Sequence, residues 1–257
     1  MIAGSAVPLL ALLAGLGLIG GIGITALGPG GVLPTIGLFA LTDLSASAVA
    51  GTSIVIHIAT GVLGTAVYTR SGQLRRPRTR WTAIVLATTA VAGAPLGVVV
   101  NSLVSQRAFG IVLATTVGGA AVLLWYRMRR EGAASAPVEY PHAAVVVAVG
   151  ITVAVASAVV GVGGPMLTVP LLIAVGVPTL EALAAAQVQS VVIATVGTLG
   201  YAARNAIDWP LAALVGVPSL AGVLIGWKIA HALPTRTLGY ALIAVLLALA
   251  PYLAVSA

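Results

Sequence analysis

The chain contains no cysteine, and only 7% of its 257 residues are charged. The first absence removes disulfides, thiol nucleophiles and cysteine-based metal centres. The second removes a soluble fold, because about a quarter of the residues in a soluble domain carry charge. Aromatic residues make up only 5%. They do not interleave with basic residues as a nucleic-acid surface requires. The five acidic residues all lie near the ends of apolar segments, where a cation path through the interior finds no carboxylate. A Walker loop, H-E-x-x-H and G-x-S-x-G are all missing. The sequence therefore predicts neither an enzyme, nor a cofactor, nor a metal site, nor a nucleic-acid partner.

What is present is apolar: 60% of residues are hydrophobic. Long apolar segments run at 6–27, 46–69, 82–102, 108–126, 143–160, 182–203, 211–230 and 237–254, with shorter ones at 31–42 and 164–177. About twenty apolar residues cross a bilayer of ~30 Å. The runs are continuous and not alternating, which excludes a membrane β-barrel. The chain reads as an all-α integral membrane protein of eight to ten membrane segments. Its N-terminal MIAGSAVPLLALLAGLG lacks a basic start, so it reads as a first membrane helix and not a cleaved signal.

The net charge of +7 comes from short loops. Arg70, Arg75, Arg76, Arg78 and Arg80 form one cluster, and Arg127, Arg129 and Arg130 another. Such clusters mark the cytoplasmic side. The polar stretch RMRREGAASAPVEYPH at 127–142 divides the chain into a first repeat at 1–128, a cytoplasmic linker at 129–141 and a second repeat at 142–257. A shift of 133 residues pairs Gly28 with Gly161, Gly30 with Gly163, Gly31 with Gly164, Thr35 with Thr168, Gly64 with Gly197, Thr65 with Thr198 and Tyr68 with Tyr201. A shift of 129 pairs Gly93 with Gly222, Gly97 with Gly226 and Arg107 with Arg236. Two homologous halves follow. Counting loop arginines and lysines favours inverted over parallel repeats by a margin of one residue.

Each half opens with a glycine break: Gly28-Pro29-Gly30-Gly31 and Gly161-Val162-Gly163-Gly164. No regular helix survives such a stretch, and inside a bilayer its backbone groups must face protein or a watery cavity. A break creates a new helix start, whose first N–H groups are open and partly positive. Such a start binds an anion without a buried cation. Paired breaks in two transporter repeats point to a binding site near the midplane. Close helix packing is the competing use for each glycine taken singly. The candidate binding residues are therefore Gly28, Gly30, Gly31, Gly161, Gly163 and Gly164, joined by polar residues on the neighbouring helices. On the first these are Thr52, Ser53 and His57, and on the second Gln187, Gln189 and Ser190. Ser53 and His57 share a helix face, as do Gln187 and Ser190. Interhelical hydrogen bonding is the competing role of these side chains.

His57 is the histidine that lies well inside an apolar segment, and an intramembrane ionisable residue is a functional candidate by default. Imidazole titrates near ~6.5, so His57 is the candidate for carrying a coupling proton. Asp43, Glu181, Arg204 and Asp208 sit at helix ends and read as structural.

The ordered set of motifs resembles the TauE/SafE family of sulfite exporter-like permeases. The set comprises the G-x-G-G breaks, Ala50-Gly51-Thr52-Ser53, the helix endings Gly64-Thr65-x-x-Tyr68 and Gly197-Thr198-x-x-Tyr201, and the turns at Gly72 and Asn205. The resemblance covers nearly the whole chain. It implies a multi-pass protein of the bacterial plasma (inner) membrane. It also implies secondary transport of small sulfur-containing or organic anions, such as sulfite or sulfonates; the expected mode is export by alternating access, with His57 as the candidate for proton coupling. The alternative is an anion channel or cation carrier of the same fold. The expected partners are the small anion, the lipid bilayer and a second copy in a homodimer. The second half has Ala184-Ala185-Ala186 where the first has Gly51-Thr52-Ser53, so the halves are expected to hold the substrate unequally.

Overall fold

The computed structural model describes residues 7–131 and 141–232, together with Tyr240, 243–244 and 246–248. The described residues are helical, joined by short turns. The helices are α1 (Val7–Ala26), α2 (Val32–Leu41), α3 (Ala46–Arg70), α4 (Pro77–Leu103), α5 (Gln106–Glu131), α6 (Ala143–Val160), α7 (Pro165–Ala174), α8 (Thr179–Ala202) and α9 (Trp209–Ala232). Seven of them are long and apolar enough to cross a membrane, while α2 and α7 are too short. Most of the expected segment at 237–254, the linker at 132–140 and Arg236 lie outside the described residues.

The ends of these helices follow from local chemistry. Ser45 caps α3 by accepting the Ala48 N–H at 3.3 Å. Proline opens α4 and α7 at the position where its missing N–H costs nothing. Gly72 at φ 91° and Asn205 at φ 52° end the turns after α3 and α8, and both sit in the left-handed region. Trp81 and Trp209 stand exposed near the starts of α4 and α9, where interfacial anchors belong.

Glycine stripes set the packing. A Cβ on Gly17 or Gly21 of α1 would run into the backbone oxygen of Val215 or Ser219 on α9, and one on Gly222 or Gly226 would run into Leu18 or Ile22. These contacts advance together along both chains, so α1 and α9 run parallel. Without a hydrophobic drive between helices in lipid, such close backbone approach supplies the attraction. Ser219 Oγ adds a bond to the Gly17 carbonyl at 2.9 Å, and Thr25 Oγ1 one to the Val223 carbonyl at 2.8 Å. The same arrangement recurs between α4 and α6. Gly93 lies on Ala154, Gly97 on Ala158, and Asn101 Nδ2 donates to the Val159 carbonyl at 2.8 Å.

Between these pairs, α3 packs on α8. Gly51 meets Tyr201, Gly61 meets Val191 and Gly64 meets Gln187, so the two helices run in opposite directions. Matched residues make matched bonds. Tyr68 Oη donates to the Thr25 carbonyl at 2.6 Å, and Tyr201 Oη to the Ala158 carbonyl at 2.7 Å. Donors and acceptors alike are separated by 133 residues. Each tyrosine ties the last turn of the helix before a glycine break to a central helix. The helices of the two sequence halves thus interleave, with α1 on α9 and α6 on α4.

Candidate functional site

Both breaks are buried in the middle of the bundle. Gly28 (φ 103°) and Gly161 (φ 73°) both take a positive φ that side chains disfavour, which lets the chain reverse after α1 and α6. After Gly28, the residues Pro29–Gly31 form a single 3-10 turn, and α2 then folds back along α1, with Gly20 against Pro34 and Gly37 against Leu13 and Leu16. No side chain caps the start of α2 or of α7. α7 therefore opens with free N–H groups, whereas the turn Pro29–Gly31 runs straight into α2 and its carbonyls take the Val32 N–H, so the open start of that segment is the turn itself.

The structure divides the six candidate glycines into two sets. Gly28 faces Pro165 and Val169 of α7, with a Cβ position 2.9 Å from Val169 Cβ. Gly30 lies on Gly23 of α1, and Gly161 on the backbone of Ala50 in α3. These three let backbones approach. The other three face polar side chains. A Cβ on Gly31 would stand 2.9 Å from His57 Cε1. One on Gly163 would stand 2.5 Å from Ser190 Oγ and 2.8 Å from His57 Nδ1. One on Gly164 would stand 3.0 Å from Gln189 Oε1.

His57 therefore touches both breaks, Gly31 at Cε1 and Gly163 at Nδ1. It lies near the middle of the 25-residue α3, and Ser190, its counterpart at a shift of 133, near the middle of the 24-residue α8. The imidazole is 1% exposed, and neither ring nitrogen makes a well-formed hydrogen bond, the Gly31 backbone being the polar group beside it. A buried polar group without a partner costs about 1–3 kcal/mol, so such groups call for an explanation.

The remaining candidates make interhelical bonds. Ser53 Oγ and Thr35 Oγ1 share a hydrogen bond at 2.6 Å, which ties α3 to α2. No Ser–His dyad forms, since Ser53 is engaged with Thr35 and the ring of His57 faces the Gly31 backbone. Thr168 Oγ1 donates to Gln189 Oε1 at 2.5 Å, tying α7 to α8, and Gln189 Nε2 donates to the Gly150 carbonyl at 3.2 Å. Thr35 and Thr168 thus hold the two broken helices in equivalent ways. Sequence reasoning used them only as repeat landmarks, although their place four residues beyond the last glycine of each break was a usable signal. Gln187 Nε2 reaches the Ile24 carbonyl at 3.4 Å, and its Oε1 has no partner. Thr52 is brought elsewhere: its Oγ1 accepts the Asp208 N–H at 2.9 Å and so holds the turn between α8 and α9.

Full charges stay away from this centre. Helices α1, α2, α6 and α7 carry none; α3 carries only Arg70 at its end, and α8 only Glu181 in its first turn. Glu181 is paired with Arg76 at 2.6 Å and accepts from Thr79 at 2.7 Å, tying the start of α8 to the α3–α4 turn. Arg204 donates to the Val98 carbonyl at 3.2 Å.

The family model described as sulfite exporter TauE/SafE matches residues 13–253. No curated protein and no solved structure matches the chain. The match spans both glycine breaks and all the central helices, and the chain belongs to the TauE/SafE family of sulfite exporter-type membrane transporters.

Proposed function

We propose that this protein is a secondary transporter that exports small sulfur-containing or organic anions, such as sulfite or sulfonates, across the bacterial inner membrane by alternating access. The anion is held where the starts of α2 and α7 meet, with His57 and Ser190 beside it. One observation carries this reading: a wholly buried imidazole whose nitrogens make no well-formed hydrogen bond touches both breaks, Gly31 at Cε1 and Gly163 at Nδ1, at the middle of the membrane-spanning helices. An anion there would accept hydrogen bonds from the ring and from the open N–H groups at the starts of both broken segments. Gln189 and Gly164 form the second half's side of this site. Thr35 and Ser53 support it in the first. Gly28, Gly30 and Gly161 shape it by letting the backbones close.

The two halves act as inverted repeats. Parallel α1 with α9, parallel α4 with α6 and antiparallel α3 with α8 are the running directions such a pair requires. Alternating access then consists of the two halves exchanging equivalent conformations about a central site. His57 serves as the proton carrier. The rival cation carrier is disfavoured because no carboxylate stands in the interior of the described helices.

The test is flux of sulfite and of a sulfonate from proteoliposomes, with and without a pH gradient. Wild-type flux should saturate with substrate and exchange against unlabelled anion, and His57→Ala should lose it. Flux that neither saturates nor exchanges would identify a channel. Unchanged flux in His57→Ala would place the site elsewhere.

A further inference from the structure

The charge present at this centre limits the charge of what can bind there. Each helix start contributes the equivalent of about half a positive charge, and the ends of α1 and α6 at the same breaks carry partial negative charge, so the two starts supply one positive charge at most. Among the described residues nothing adds to it. No lysine or arginine lies on α2 or α7, and the charged groups of α3 and α8 are at their ends, Arg70 and the paired Glu181. The residues placed beside His57 include Gly31 from the first break, Gly163 from the second and Ser190 from α8, and none of these titrates. The tyrosines of α3 and α8, Tyr68 and Tyr201, are committed to backbone carbonyls. His57 is thus the group at the centre that can change its charge, and its 1% exposed ring, whose nitrogens make no well-formed hydrogen bond, is the observation that points to a ligand independently of the helix starts.

Resting on the site proposed above, we infer that this site holds one net negative charge: a monoanion binds as it is, and a dianion binds only together with a proton on His57. A monoanion such as a sulfonate or hydrogen sulfite balances the two helix starts. A dianion leaves one charge uncompensated in a low-dielectric interior, which costs far more than the same charge in water. A second proton, taken by whichever ring nitrogen of neutral His57 lacks one, restores the balance. The transported unit is then the same in total charge whichever anion is offered.

Two anions of similar tetrahedral size separate these cases: methanesulfonate, a monoanion, and sulfate, a dianion at neutral pH. Their binding to the purified full-length protein is measured by titration calorimetry at about pH 6 and about pH 8, in buffers of different ionisation heat. Methanesulfonate should bind equally at both values and take up no proton. Sulfate should bind about tenfold or more weakly than methanesulfonate at the higher value, tighten by up to about tenfold per pH unit as pH falls, and take up one proton per anion. In His57→Gln, the tightening of sulfate relative to methanesulfonate at low pH and its proton uptake should vanish. Sulfate binding as tightly as methanesulfonate at the higher pH, or binding without proton uptake, overturns the inference and leaves the site standing. Failure of both anions to bind at either pH removes the site, and the inference with it.

Discussion

Gly163→Ala is the smallest change that tests whether the two breaks work through His57. The added methyl would stand 2.8 Å from His57 Nδ1, roughly 0.6 Å inside the 3.4 Å at which ordinary contact begins, and 2.5 Å from Ser190 Oγ. Ser190 can turn its hydroxyl. The imidazole has less freedom, because Gly31 also lies against the ring, at its Cε1, where a Cβ would be only 2.9 Å away. The ring must therefore tilt or shift, and overpacking of this kind costs about 1–3 kcal/mol. If that cost falls on the anion-bound arrangement, affinity drops by about 5- to 100-fold. The backbone tolerates the change, since Gly163 lies in the irregular stretch before α7 and its φ is not in the left-handed region. The assay is methanesulfonate affinity by calorimetry, alongside thermal unfolding in the same detergent. The expected result is weakened binding with the unfolding temperature little changed. Wild-type affinity in Gly163→Ala would refute the argument, because it would mean that the ring is not held against both breaks.

Thr168→Val deletes the bond that ties α7 to Gln189 and leaves the amide oxygen of Gln189 without its donor. Interhelical hydrogen bonds in membranes are worth about 0.6–1.7 kcal/mol, so the unfolding temperature should fall, and an unchanged melting curve would show that the bond is not a structural tie. On α1, Gly21→Leu should prevent docking on Ser219 of α9 and reduce the yield of monodisperse protein on gel filtration. Gly15→Leu, one and a half turns earlier, meets nothing within 4 Å and should purify like the parent. Equal yields from the two would show that α1 and α9 do not depend on the glycine contact.

Hydropathy was enough for the helices because the bilayer leaves little choice. Every peptide group in hydrocarbon must be bonded within its own segment, so apolar length translates directly into helix. The expected 46–69 became Ala46–Arg70, and 143–160 became Ala143–Val160. The starts were read less well. The segment expected at 82–102 begins at Pro77, since the first turn of α4 carries Arg78 and Arg80, whose long side chains reach past the apolar core. The short helices α2 and α7 were legible because glycine and proline act locally, on backbone geometry that no partner can restore. The repeat was legible for a related reason: Gly72 and Asn205, or Gly28 and Gly161, must share a positive φ that few other residues adopt.

The residue roles were less accessible. Nothing in the local sequence separates Gly30, which lies on Gly23, from Gly31, which faces His57, because adjacent residues in a turn point to different neighbours. Thr52 and Ser53 are adjacent too, yet one holds the α8–α9 turn and the other the second helix of the first half. What the sequence alone determined is a membrane bundle with two broken segments, since hydrophobic length and backbone geometry are properties of short stretches. What only the tertiary structure decided is that His57 of one half meets Gly163 of the other. That meeting depends on α3 and α8 running in opposite directions with their midpoints abreast, and no stretch of sequence carries the packing that puts them there.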